Sequence, residues 1–275
     1  MISCEQYAAM VKVVLRRNIK LLDRKPHLVI IQVGDNPASN SYVKGKIKDC
    51  EEVGIEYNVL KCDKYISEVG LLGVIDTYNK NKFVDGIIVQ LPLPDHLDAD
   101  KITNHIAKEK DVDGFRADSP FDPCTPKGII DWLEYNYYPF EGSRATVVGR
   151  SKIVGKPLVN MLIDRGATVT CCNSKTIDLH LYTSTVDLVI SAIGKPKFFD
   201  HTYFMEYTTI IDVGINRDEN GKLCGDVDRE DVLHHFDEDF MDVYVTPVPK
   251  GVGLLTRVTL LKNVYDAYMM GGKDE

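Results

Sequence analysis

No apolar run in this chain approaches the roughly 18 residues that a membrane-spanning helix needs, and no secretory leader precedes the first helical pattern. Membrane-embedded and exported classes are set aside on that basis. There is no excess of basic charge either: 33 Lys+Arg stand against 41 Asp+Glu, a formal net charge of −8. A non-specific nucleic-acid binder requires a basic surface, so that class is excluded, while local basic pockets for an anionic ligand stay open. The seven cysteines, at 4, 50, 62, 124, 171, 172 and 224, form no C-x-x-C pair. An odd count without a spaced framework predicts reduced thiols in the cytoplasm, with neither disulfides nor zinc. The seven histidines are scattered, with His234 and His235 in the polar stretch "DVLHHFDEDF", and no metal-ligand spacing emerges. A P-loop, a G-x-S-x-G elbow and internal repeats are also missing.

What remains is a globular composition, 44% hydrophobic and 27% charged over 275 residues, enough for one large domain or two ordinary ones. "EQYAAMVKVVLRRNIKLL" has helical periodicity and "HLVIIQVG" is a short apolar run ending in glycine. "SNSYVKGKIKDCEEVG" reads as a helix, with Ser39 or Asn40 as its cap and Gly54 at its end. "EVGLLGVIDTYNK" and "VDGIIVQ" continue as helix and buried strand, so the alternation predicts a mostly parallel α/β sheet. Prolines 92, 94, 120, 123 and 126 interrupt the pattern and predict ordered loops. Near residue 140 it restarts with strands in "RATVVG", "ATVTCCN", "VDLVISAIG" and "TTIIDVGIN", and a helix in "LVNMLIDRG". "DENGK" predicts a hairpin turn with positive φ at Asn220 and Gly221. The restart marks a second domain.

Tyr42 and Lys46 lie four positions apart, so on a helix the phenol and the amine project into the same space. Read alone, Lys46 is an ordinary solvated lysine, since exposed lysines are the rule. Gln90 ends a strand at the carboxyl edge where open α/β sheets bind ligands, or is simply a loop-capping amide. Asp111 and Asp113 in "KDVDGF" either meet a ligand amine or organise a turn. "TVVGRSKIVGKPL" is a nucleotide-site candidate: Gly149 ends a strand and Gly155 precedes a helix whose free N–H groups suit a phosphate. The spacing is not the standard G-x-G-x-x-G. The following strand ends in Asn173, Ser174 and Lys175, where an NAD site carries an acidic residue; with Arg150 nearby this suits the 2′-phosphate of NADP.

The motifs "SNSYVKGK", "GIIVQLPLP", "KDVDGF", "PCTPKGI", "VVGRSKIVGKP", "DVGIN", "GDVD" and "TPVPKGVG" occur in one order along nearly the whole chain. Together they resemble the bifunctional methylenetetrahydrofolate dehydrogenase/methenyltetrahydrofolate cyclohydrolase family. The resemblance implies an α/β folate domain, residues 1–118 completed by 247–275, and a Rossmann-type NADP domain, residues 119–246, with the active site in a cleft between them. It implies a cytoplasmic homodimer acting on tetrahydrofolate derivatives in one-carbon metabolism and purine biosynthesis. It makes Lys46 the catalytic lysine, Gln90 its tuning partner, Tyr42 the residue that packs on the folate and Asp113 the pterin-binding aspartate. Ser39 and Pro249 join the substrate set. Gly149, Arg150, Ser151, Ser174 and Ile215 fall to the cofactor.

This chain departs from the family near "PKGVGLLTR", where Lys250 replaces a glycine and Leu254 a proline. Two consequences are open: a changed loop shape, because lysine cannot take every glycine conformation, or an added cation near the folate's glutamate tail. Two other functions also stay open, a monofunctional dehydrogenase without the lysine chemistry and a non-catalytic nucleotide-binding module.

Overall fold

The computed structural model describes residues 1–236 and 243–271. In chain order the elements are α1 (Cys4–Ile19), β1 (His27–Val33), α2 (Pro37–Val53), β2 (Glu56–Cys62), α3 (Glu68–Asn79), β3 (Gly86–Val89), α4 (Ala99–Thr103) and α5 (Cys124–Tyr135). They continue with β4 (Arg144–Val148), α6 (Gly155–Ile163), β5 (Thr168–Cys172), α7 (His180–Thr183), β6 (Leu188–Ser191) and β7 (Thr209–Asp212). The last are β8 (Asn216–Arg217), β9 (Leu223–Cys224), α8 (Arg229–His235), β10 (Tyr244–Val245) and α9 (Val252–Gly271).

The chain divides into two units, Ala9–Cys124 with the segment from Arg257 onward, and Met1–Ala8 with Thr125–Thr256. The C-terminal segment returns to the N-terminal unit, but from Arg257 rather than from 247. Residues 1–8 go with the second unit because Cys4 sits in its core and the Trp132 indole donates to the Ile2 carbonyl (3.1 Å). Residues 119–124 go with the first because Phe121 and Cys124 are buried there.

The first unit has a parallel sheet in the order β2-β1-β3. Strand side chains alternate between faces, so Leu28 and Ile30 pack with Val43, Cys50, Leu260 and Val264 of α2 and α9. Val29, Ile31 and Val33 pack on the other face with Leu71 and Ile75 of α3. Each such buried aliphatic contributes about 1.5–3 kcal/mol. Helices thus cover both faces, as a parallel sheet requires. β2 carries no continuous apolar run and was not legible as a strand; its half-exposed residues suit the edge position it occupies.

The second unit has a parallel sheet in the order β10-β7-β6-β4-β5. One face buries Val147, Ile190 and Ile211 against Trp132 and Leu133 of α5 and Leu158 and Leu162 of α6. The other buries Val148, Val189 and Ile210 with Phe199, Val227 and Val232. From β4 the chain steps to β5 on one side and then to β6 on the other, so the strand order switches between β4 and β6. That is where an open α/β sheet offers a ligand crevice at its carboxyl edge.

Three local expectations are corrected. Pro126 stands in the first turn of α5, where its missing N–H has no intrahelical partner to lose, so the proline-rich region gives way to helix at Cys124. The β8–β9 hairpin turns through 218–222, and only Gly221 there has positive φ (77°). Asn220 avoids that conformation because Asp218 closes the loop, its carboxylate accepting from the Asn220 and Lys222 N–H groups (both 2.9 Å). Finally, α2 starts at Pro37, before Ser39, with the Asn36 side chain accepting from the Ser39 N–H (3.2 Å). Gly54 ends that helix as expected, at φ 91°.

Candidate active site

In the first unit α2 buries Val43, Cys50 and Val53, and this packing carries Lys46 inward with them; the lysine is 8% exposed. A buried ammonium or amine needs a polar partner. Lys46 Nζ donates to Gln90 Oε1 at 3.1 Å. Gln90 follows β3 directly, its backbone N–H donating to the Ile31 carbonyl (2.8 Å). Its Nε2 donates to the Leu91 carbonyl (2.7 Å), which orients the amide so that its oxygen faces the lysine.

Asp113 reaches the same place from the "KDVDGF" turn. Gly114 takes φ 70°, and a Cβ there would run into the backbone of Asp122 and Phe121, so the turn requires glycine. The fully buried Asp111 braces it by accepting from the Arg116 N–H (2.9 Å). Burial pushes the Asp113 carboxyl up, opposed by the positive charge of Lys46 and a hydrogen bond from Cys124. Asp111 therefore organises the turn, and Asp113 lies within the electrostatic influence of Lys46.

Tyr42 is half-buried, its phenol raised by desolvation and held back by the cation of Arg257. Arg257 comes from α9 and lies over Gly45, where a Cβ would clash with the guanidinium. Its Nε stands 2.9 Å from the buried Asp49 carboxylate, which also meets Lys12 Nζ at 2.5 Å. From the same helix Asn263 Nδ2 donates to the Val112 carbonyl (2.9 Å), and the Cys124 thiol donates to that carbonyl too (3.3 Å). Arg257, Asp49, Cys124 and Asn263 were not singled out in the sequence. The local signal for Asn263 is only a polar residue in an apolar helix. Ser39 is buried near the start of α2. Pro249 lies in the second unit, exposed, just before Lys250.

In the second unit Gly149 follows β4 at φ 125°, and its Cβ position is taken by the Ala192 carbonyl from the loop after β6. Gly155 opens α6, and its Cβ position is taken by the Gly149 carbonyl. Two glycines thus bring both loops and the helix start into close approach at the switch point. Ser151 Oγ accepts from the N–H groups of Val154 (3.2 Å) and Gly155 (3.3 Å), capping α6. Arg150 and Ser174 are exposed, and Ile215 is 46% exposed after β7. Asn173 shapes the turn after β5 by accepting from the Lys175 N–H (3.0 Å), with no acidic side chain at the strand end. This cradle fits a phosphorylated dinucleotide.

A dinucleotide-type unit joined in one chain to a unit with a buried amine defines a two-domain, nucleotide-dependent α/β enzyme. Residues 2–113 match the model for the tetrahydrofolate dehydrogenase/cyclohydrolase catalytic domain, and residues 123–271 match the model for the NAD(P)-binding domain of the same family. The chain belongs to the tetrahydrofolate dehydrogenase/cyclohydrolase family. It is 43% identical over 262 residues to the bifunctional protein FolD of Cupriavidus pinatubonensis, covering 91% of this chain and 90% of that one. The crystal structure of the bifunctional enzyme FolD from Campylobacter jejuni superposes with a TM-score of 0.92 at 40% identity, over 98% of each chain. The Trypanosoma brucei dehydrogenase-cyclohydrolase, solved with NADP cofactor and inhibitor, gives 0.91 at 27% identity, over 99% of this chain and 98% of that one.

Proposed function

We propose that this chain oxidises 5,10-methylenetetrahydrofolate with NADP⁺ and hydrolyses the resulting 5,10-methenyltetrahydrofolate to 10-formyltetrahydrofolate. The observation that carries the reading is the buried Lys46 amine, 3.1 Å from the Gln90 carbonyl oxygen, with the Asp113 carboxyl in its field. NADP⁺ would supply the hydride acceptor for oxidation of the one-carbon bridge. Gly149, Arg150, Ser151 and Ser174 are the residues for its phosphates, and Ile215 for its nicotinamide end. Hydride transfer needs alignment to about 3.5 Å and exclusion of water rather than a strong acid or base.

Hydrolysis makes greater demands. Water adds to the electrophilic methenyl carbon and loses one proton. The bond from that carbon to N5 then opens as the hydroxyl gives up its remaining proton to become the carbonyl and N5 gains a proton, leaving the formyl group on N10 with one proton released overall. Lys46 moves these protons, and Gln90 holds its amine without adding a charge. Asp113 binds the pterin ring and Tyr42 packs against the folate, with Ser39 and Pro249 in the substrate set.

A monofunctional dehydrogenase would not need the lysine–glutamine pair, so that pair favours the bifunctional reading. The reading extends to a cytoplasmic homodimer serving one-carbon metabolism and purine biosynthesis; its seven free thiols suit a reducing compartment. The test follows NADPH formation from methylenetetrahydrofolate and loss of methenyl absorbance in parallel. Both should proceed, and absence of the second would leave only the dehydrogenase.

A further inference from the structure

One fully buried carboxylate in the second unit has no part in the chemistry above, yet it gathers the loops at the cofactor crevice. Asp226 Oδ2 accepts from the Ser191 hydroxyl (2.9 Å), the Ile193 N–H (2.8 Å) and the Gly194 N–H (3.3 Å). Its Oδ1 accepts from the Lys195 N–H (2.9 Å) and from Asn216 Nδ2 (2.8 Å). Successive N–H groups converging on one anion form the kind of nest that elsewhere holds a phosphate, here filled by the protein's own carboxylate. Ser191 ends β6 at the switch point, 193–195 follow it, and Asn216 lies beside Ile215 after β7. The Ala192 carbonyl in the same loop packs on Gly149.

Asp226 is itself fixed from below. Asp212, at the end of β7, accepts from the N–H groups of Gly214 (2.9 Å) and Asp226 (3.0 Å) through Oδ1, and from Val227 (2.9 Å) through Oδ2. A Cβ on Gly214 would strike the Asp226 carboxylate, and one on Gly225 would strike that of Asp212. The glycines of "DVGIN" and "GDVD" are there because two carboxylates take up the space.

We propose that Asp226 is a positioning residue for the dehydrogenase reaction: its carboxylate holds the loops after β6 and β7 in the shape that receives the nicotinamide end of NADP⁺. The inference rests on the proposed use of this crevice for NADP. Asparagine cannot replace the aspartate, because either orientation of its amide turns an NH₂ group toward backbone N–H donors that cannot accept.

The experiment compares Asp226→Asn with wild type in direct titration of NADP⁺, in steady-state dehydrogenase kinetics, and in methenyl hydrolysis without cofactor. The expected result is an NADP⁺ Kd and KM raised about tenfold or more, as for lost hydrogen bonds to a charge, with hydrolysis within about twofold of wild type. An unchanged Kd and KM in the folded variant overturns the proposal, as does an equal fall in hydrolysis, which would mean general loss of structure. Should Asp226→Asn not fold, Ser191→Ala and Asn216→Ala each remove one donor. Each should raise the NADP⁺ KM about threefold or more with hydrolysis intact, and unchanged KM in both overturns the proposal. Wild-type protein that fails to bind NADP⁺ would instead sink the functional reading.

Discussion

Lys46 is a commonplace residue in an uncommon setting: burial removes its water and gives it Gln90 as a hydrogen-bond partner. Lys46→Met keeps the apolar stem and removes the amine. Methenyl hydrolysis should then fall by the roughly 10²–10⁴ typical of a positioned acid–base group, about 2.7–5.4 kcal/mol of barrier, with the dehydrogenase less affected. A wild-type rate of hydrolysis in that variant would remove Lys46 from the mechanism. A second residue carries a pH dependence. Burial pushes the Asp212 carboxyl from its ordinary 3.8 up to about 6, against three backbone N–H donors. Between those pH values the native state keeps a proton that the unfolded chain has released. This group therefore favours the fold most below pH 3.8 and withdraws up to ~3 kcal/mol as pH rises through about 6. A carbon-detected NMR titration of Asp212 should show a midpoint near 6, and a midpoint at the ordinary value would refute the effect.

The segment leading into α9 shows the loop shape at Lys250. The lysine does take the glycine conformation, φ 78°, and its Nζ lies 3.2 Å from Glu5 on the exposed surface. The loop therefore keeps a left-handed turn at the expense of strain, which for a non-glycine residue is about 1–2 kcal/mol. The exposed ion pair offsets little of it. Lys250→Gly should leave thermal stability unchanged or raise it by about 1 kcal/mol at most, after the extra unfolded-state freedom of glycine. A marked drop in melting temperature would show instead that the Glu5 pair stabilises the loop. Further along, α9 gives the first unit both Arg257, paired with Asp49, and Asn263, bonded to the Val112 carbonyl. A single helix thus braces α2 and the Asp113 turn, although neither is near it in sequence.

For the molecule as a whole, division of labour between the units sets cofactor choice apart from folate chemistry. Asn173, Ser174 and Lys175 follow β5, with Arg150 exposed after β4. An acidic residue there would bond a ribose 2′-hydroxyl and repel a 2′-phosphate. NADP⁺ should therefore be preferred over NAD⁺ in kcat/KM, and Arg150→Ala should narrow the preference by about tenfold, a charge-assisted contact being worth that much. Equal or better kcat/KM with NAD⁺ in the unaltered enzyme would contradict this. On the role proposed for Lys46, methenyl hydrolysis should be unaffected by the same substitution.

Local pattern was enough for much of this. Periodicity and glycine placement revealed α2, β1, β3 and the β4–α6 turn, because burial of one helical face or of a whole parallel strand leaves its mark on neighbouring residues. Motif order then pointed to Lys46, Gln90 and Asp113. Edge strand β2 was hidden, since a half-exposed strand at the side of a sheet need not be apolar. So were Arg257, Asn263 and Asp226. Each acts on a partner far away or across a loop, and such a partner is chosen by packing geometry. A buried carboxylate with five donors looks, in the sequence, like any other aspartate; only folding converges the N–H groups that make it a scaffold.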